Sequence, residues 1–215
     1  KLKIQYNFKI HIGVFRMEIN SLFSVKGKTA IVTGGSRGIG EMIASGFLAN
    51  GVKVYISARK APALIEKANE LSEKFQQECI PVPCDLSSSE GINNFVTEIK
   101  NNVECIDFLI NIAGAAWGET FESFSEKGWD KVMNLNVKSM FFLTQQFKTL
   151  LTKNASLEDP SRVINIGSID GLNVPAFETY SYSTSKAAVH HLTRVMAAKL
   201  VKENILVNAI APGPY

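Results

Sequence analysis

From Lys28 onward, short apolar runs alternate with longer stretches whose apolar residues recur every three or four positions. The first run, Thr29–Thr33, reads as a strand. A glycine-rich turn follows it, then a helix over 38–50 with Gly51 placed as its stop signal. The same alternation predicts strands at 53–57, 80–83, 108–112, 162–166 and 205–210. Helices are predicted over 61–76, 88–101, 129–152 and 182–202. The strands are short, β-branched and apolar on both faces, which suits a parallel sheet buried between two layers of helices. Repeated strand–helix–strand units with right-handed crossovers predict an α/β fold, a doubly wound parallel sheet. Ligands of such sheets bind beyond the carboxyl ends of the strands, where the strand order reverses.

Residues 1–16 follow a different rule. Leu2, Ile4, Tyr6, Phe8, Ile10, Ile12 and Val14 alternate strictly, a strand period, and the first Met is Met17. The segment carries Lys1, Lys3, Lys9 and Arg16 and no acid. Those four charges exceed the net charge of +3 and leave the remainder at −1. We read 1–16 as a basic extension outside the native domain, with a mitochondrial leader as the alternative, and 17–215 as one domain. A basic, acid-poor leader should be amphipathic as a helix, and this segment is not. The nearly neutral remainder has no basic stripe with interleaved aromatics, which argues against a nucleic-acid partner. No apolar run is long enough to span a bilayer, so no membrane partner is expected. Cys79, Cys84 and Cys105 match no zinc spacing, so no metal is expected, and they read as reduced thiols of a cytoplasmic protein.

The turn after the first strand is Thr33-Gly34-Gly35-Ser36-Arg37-Gly38-Ile39-Gly40. Glycines there let backbone N–H groups approach a pyrophosphate, and the following helix adds the positive end of its dipole. The end of the second strand reads Ser57-Ala58-Arg59-Lys60, without the acid that would hold a ribose 2′-hydroxyl. Arg59, with Arg37 in the glycine turn, suits a 2′-phosphate instead, and the expected cofactor is NADP(H). Tyr182 and Lys186 share one helix face at i and i+4. An ammonium beside a phenol favours the phenolate and brings proton exchange closer to neutrality. Ser168, after the fifth strand, has a hydroxyl suited to a substrate carbonyl oxygen. Tyr180 is a weaker candidate because its i+4 residue is Thr184. His190 and His191 lie farther along the helix and read as surface or subunit contact. Trp117 reads equally as a pocket wall or as core, and Trp129 as core.

These motifs resemble the short-chain dehydrogenase/reductase family over residues 24–215: TGGSRGIG at 33–40, CDL at 84–86, NIAG at 111–114, LNVKS at 135–139, INIGS at 164–168, YSTSK at 182–186 and PG at 212–213. The resemblance implies a Rossmann-like doubly wound sheet in the order 3-2-1-4-5-6, and a catalytic set of Ser168, Tyr182 and Lys186, with Asn136 completing a proton relay through water to Lys186. It implies cofactor contacts from Gly34, Ser36, Arg37, Gly38, Ile39, Gly40, Arg59, Asp85, Leu86, Asn111, Ala113, Gly114, Tyr182, Lys186, Pro212 and Gly213. Within the family the motifs are most similar to rhamnolipid-type 3-oxoacyl reductases. That similarity implies an NADPH-dependent reductase of a 3-oxoacyl thioester or similar carbonyl, working as a homodimer or homotetramer. A sugar or polyol dehydrogenase, or an NADP(H)-binding protein without useful catalysis, are the alternatives. The usual N-N-A-G reads Asn111-Ile112-Ala113-Gly114. The sequence stops at Tyr215, short of the last strand and substrate lid that the family carries.

Overall fold

A computed structural model describes residues 23–213. The expectation for residues 1–16 lies outside the described residues, as do Met17, Pro214 and Tyr215. Six strands form one parallel sheet: β1 (Thr29–Thr33), β2 (Lys53–Ala58), β3 (Cys79–Pro83), β4 (Phe108–Asn111), β5 (Ser161–Ile166) and β6 (Ile205–Ile210). Their order is β3-β2-β1-β4-β5-β6, as the family resemblance implies. The helices are α1 (Gly38–Ala49), α2 (Ala61–Phe75), α3 (Ser89–Asn102), α4 (Glu126–Met133), α5 (Ser139–Thr152) and α6 (Tyr180–Leu200).

Alternation along the strands builds both halves of the core. On β1, Ile31 points into a cluster with Phe95, Leu109, Leu143 and Phe147, closed by α3, α5 and α6. Its neighbours Ala30 and Val32 point into the opposite cluster with Leu48, Ile56 and Leu64, closed by α1 and α2. Full burial of each such Leu, Ile or Phe contributes about 1.5–3 kcal/mol, so a sheet buried on both faces supplies most of the driving force. The strand order reverses between β2 and β4 on either side of β1, which opens a crevice above the carboxyl ends of β1 and β4.

The predicted helix over 129–152 is two helices. α4 begins earlier, where the Ser125 hydroxyl accepts the Gly128 N–H at 3.2 Å. A π-helical turn, Asn134–Lys138, then joins it to α5. Periodicity misses the early start because Gly128 and two charged residues interrupt the apolar pattern of the first turn. α6 also begins two residues before its predicted start, at Tyr180. Trp129, expected in the core, is 38% exposed, its ring edge-on to Phe124 at 6.4 Å. Cys79, Cys84 and Cys105 are unpaired.

Candidate active site

The crevice holds two adjoining cavities. The first, about 420 Å³, is lined by Gly34, Ser36, Arg37, Gly38, Ile39 and Gly40, by Arg59 at the end of β2, by Asp85 and Leu86 after β3, and by Ala113 and Gly114 after β4. Gly34 has φ +70°, and a side chain there would press on the Ala113 backbone. Gly40 meets the Gly34 carbonyl so closely that any Cβ would overlap it. Arg37 caps α1 without any side-chain bond to the helix, so the first N–H groups of α1 have no side-chain cap, and Gly38, Ile39 and Gly40 of that turn line the cavity. Thr33 Oγ1 accepts the N–H groups of Ile112 and Ala113 at 3.0 and 3.1 Å and holds the turn after β4 against β1. Arg37 and Arg59 are exposed at the mouth. The Asp85 carboxyl accepts the hydroxyl and N–H of Ser87 at 2.7 and 3.0 Å. Those bonds, with a smaller contribution from the Arg59 charge, hold it below the usual carboxylate range.

The second cavity, about 290 Å³, shares Ile39, Ile112 and Gly114 with the first. Ser168, Tyr182, Lys186, Pro212 and Gly213 line it. Lys186 is 4% exposed, and its Nζ donates to the Ile166 carbonyl at 2.8 Å and lies 5.6 Å from the Tyr182 ring centre. Burial pushes its pKa down to about 8. The Ser168 hydroxyl accepts the Asp170 N–H at 3.1 Å, which fixes the oxygen at the rim of the cavity.

Two expected site residues sit elsewhere. Asn111 lines neither cavity. It is buried beneath them, with its amide donating to Asn165 Oδ1 at 2.9 Å and tying β4 to β5. Asn136 is wholly buried in the π-helical turn. Its amide donates to the Ala115 carbonyl at 3.0 Å and Ser185 Oγ at 2.9 Å, and its Oδ1 accepts the Ala115 N–H at 2.8 Å. Both amide hydrogens are therefore used in bracing the turn after β4. Trp117 lies over Gly128 of α4, with Lys131 Nζ 4.5 Å above its ring, and lines neither cavity.

His190 departs from the surface expectation. Its Nε2 lies 3.0 Å from the Ser168 carbonyl, and the ring covers Gly167. Its spacing of i+4 from Lys186 was visible in the sequence, but the approach of β5 to that helix face was not. His191 is exposed, as expected.

A sheet of this order with this site defines a class of nucleotide-dependent oxidoreductase, and the comparisons with known proteins specify it. The short chain dehydrogenase family matches residues 28–215, and the chain belongs to it. The chain is 47% identical over 193 residues to the rhamnolipids biosynthesis 3-oxoacyl-(acyl-carrier-protein) reductase of Pseudomonas aeruginosa, covering 90% of this chain and 75% of that protein. It is 36% identical over 200 residues to 2-dehydro-3-deoxy-D-gluconate 5-dehydrogenase of Escherichia coli, covering 91% and 74%. Among solved structures, the RhlG/NADP active-site complex of Pseudomonas aeruginosa superposes with a TM-score of 0.86 at 46% identity, covering 90% of this chain and 75% of that one. L-sorbose reductase of Gluconobacter frateurii, complexed with NADPH and L-sorbose, superposes at 0.83 with 29% identity, covering 88% and 70%. No helix among the described residues is long and apolar enough to cross a membrane.

Proposed function

We propose that the chain is an NADPH-dependent reductase that converts the ketone of a 3-oxoacyl thioester, or a similar carbonyl, to a secondary alcohol. The observation that carries this reading is the meeting of Tyr182, Lys186 and Ser168 in a cavity continuous with the glycine-lined one. The glycine cradle that any Cβ would fill, and the two exposed arginines beside it, fit a dinucleotide with a 2′-phosphate. When bound there, NADPH supplies the hydride.

The remaining chemistry belongs to the chain. The Ser168 hydroxyl donates to the substrate carbonyl oxygen, with its position set by the Asp170 N–H. Tyr182 protonates that oxygen as alkoxide character develops. Lys186, held by the Ile166 carbonyl, lowers the cost of the phenolate left behind. Because the Asn136 amide is saturated, a water relay to Lys186 would use the Asn136 backbone carbonyl. Two further observations support the acyl substrate over a sugar: the 47% identity to a 3-oxoacyl reductase, and the exposed Leu172, Val174 and Phe177 after Ser168, an apolar surface suited to an acyl chain. The same reading includes a homodimer or homotetramer formed across α5 and α6, where Phe141 and Val195 are exposed. It also includes a reducing, cytoplasmic setting for the three thiols.

NADPH oxidation with a panel of 3-oxoacyl thioesters, simple ketones and sugars tests the proposal. The thioesters should turn over fastest. Turnover with sugars alone would replace the substrate, and saturable NADPH binding with no turnover of any compound would replace the activity. Sedimentation of the purified protein tests the assembly.

A further inference from the structure

Beyond Asn165, β5 runs past the end of β4, whose last paired residue is Asn111. From there the two edges of β5 are satisfied differently. On the β6 side the Gly167 and Ile169 N–H groups donate to the Ile210 and Pro212 carbonyls at 2.8 and 3.1 Å. On the edge that β4 has left, the carbonyls of Ile166 and Ser168 point toward α6, where Lys186 Nζ and His190 Nε2 meet them at 2.8 and 3.0 Å. One step deeper, the Asn165 amide donates to Thr193 Oγ1 at 3.0 Å. Lys186, His190 and Thr193, at i, i+4 and i+7 on one helix face, thus grip Ile166, Ser168 and Asn165 of the strand end. A carbonyl only accepts, so His190 carries its proton on Nε2. Gly167 lies directly under the imidazole, and a side chain there would overlap the ring. The Ser168 carbonyl also accepts the Gly171 N–H at 3.0 Å, which ties the segment to itself. Among the described residues, only the His190 bond ties that carbonyl to the helix bearing Tyr182.

We propose that His190 is a positioning residue: by holding the Ser168 carbonyl to α6, it sets the distance between the Ser168 hydroxyl and Tyr182. This inference rests on the catalytic roles proposed above for those two residues. Lys186 lines the cavity, whereas His190 does not and reaches the site through the Ser168 backbone.

The test compares His190→Phe, which keeps an aromatic ring over Gly167 without a donor, with His190→Gln, which keeps a donor at the reach of Nε2. Two readouts are needed: amide hydrogen exchange of residues 167–171 in the full chain, and steady-state NADPH oxidation with the best substrate of the panel. In His190→Phe, exchange at Ile169 and Asp170 should accelerate about tenfold. In the same variant kcat should fall about tenfold while the KM for NADPH stays within about twofold. His190→Gln should restore most of both. Unchanged exchange or unchanged kcat in an active His190→Phe protein overturns the proposal. Equal losses in the two variants overturn it as well, because His190 would then be packing alone. If the unmodified chain turns over nothing, the reductase reading fails. The exchange arm then decides alone whether the His190 donor holds Ser168.

Discussion

The two halves of the crevice are made of different material. The half above β1 and β2 is backbone: glycines without side chains, helix N–H groups without caps, and arginines reaching in from solvent. The half above β5 is built on buried polar side chains: Ser168 and Lys186 are each tied by bonds to their neighbours, and the buried Asn136 braces the turn after β4 beside them. A backbone cradle suits a ligand that every member of such a class shares. It tolerates changes in side-chain chemistry but no added atom at Gly34 or Gly40. A side-chain site can carry perturbed acidities, at the cost of burying groups that water would solvate better.

The largest effect that separates the halves is expected from Tyr182→Phe. It should lower kcat by roughly 10²–10⁴-fold, the usual contribution of a positioned acid. NADPH affinity, measured by cofactor fluorescence, should stay within about twofold, because the backbone cradle is untouched. An equal loss of affinity would merge the two halves into one. The converse change is Gly40→Val, whose side chain overlaps the Gly34 carbonyl. Overpacking of this kind costs typically 1–3 kcal/mol, and NADPH binding should be lost while the His190 and Lys186 contacts survive.

Lys186→Met tests the cost of the buried half. The folded-state pKa of about 8 lies below the ordinary 10.5, so between those values the unfolded chain binds more protons than the folded one. Stability contributed by this group therefore rises with pH across that window, and below pH 8 the buried ammonium is a penalty of about 3 kcal/mol. Denaturant titrations should show wild type gaining on Lys186→Met from pH 8 to pH 10.5. Parallel pH profiles for the two proteins would sink the idea. The smallest effect belongs to Arg59→Ala. Loss of a charge-assisted bond costs roughly 1.5–3 kcal/mol of NADPH affinity. NADH affinity and thermal stability should be unchanged, as an exposed residue implies.

The difference between the halves also explains what could be read without coordinates. β1 and β6 match their predicted limits, because each is a short apolar-rich run bounded by polar and turn residues. The glycine turn was equally legible, since its function lies in residues that lack side chains and follow one another in the chain. The buried half was only partly legible. Tyr182 and Lys186 share a helix face, which spacing reveals. The bracing role of Asn136, the burial of Asn111 at the end of β4 and the grip of His190 on Ser168 depend on which strand meets which helix. Local periodicity carries no such information. Trp129 misled because bulk and apolarity identify core residues only on average, and its helix begins three residues earlier than its own pattern suggests.

The π-helical turn between α4 and α5 has a consequence for how this protein tolerates change in length. At 3.6 residues per turn, one residue more or fewer rotates everything downstream by about 100°. Through that turn, Asn136 braces the crevice while Leu143, Phe147 and Leu151, farther along, face the sheet. Removing a single residue from 134–138 would straighten the helix and satisfy its backbone more simply. It would also turn either Asn136 away from Ala115 or the apolar stripe of α5 away from the core. The chain is therefore locked in count as well as in kind at this point, and a deletion tolerated in an exposed loop would here unseat the crevice or the core beneath it.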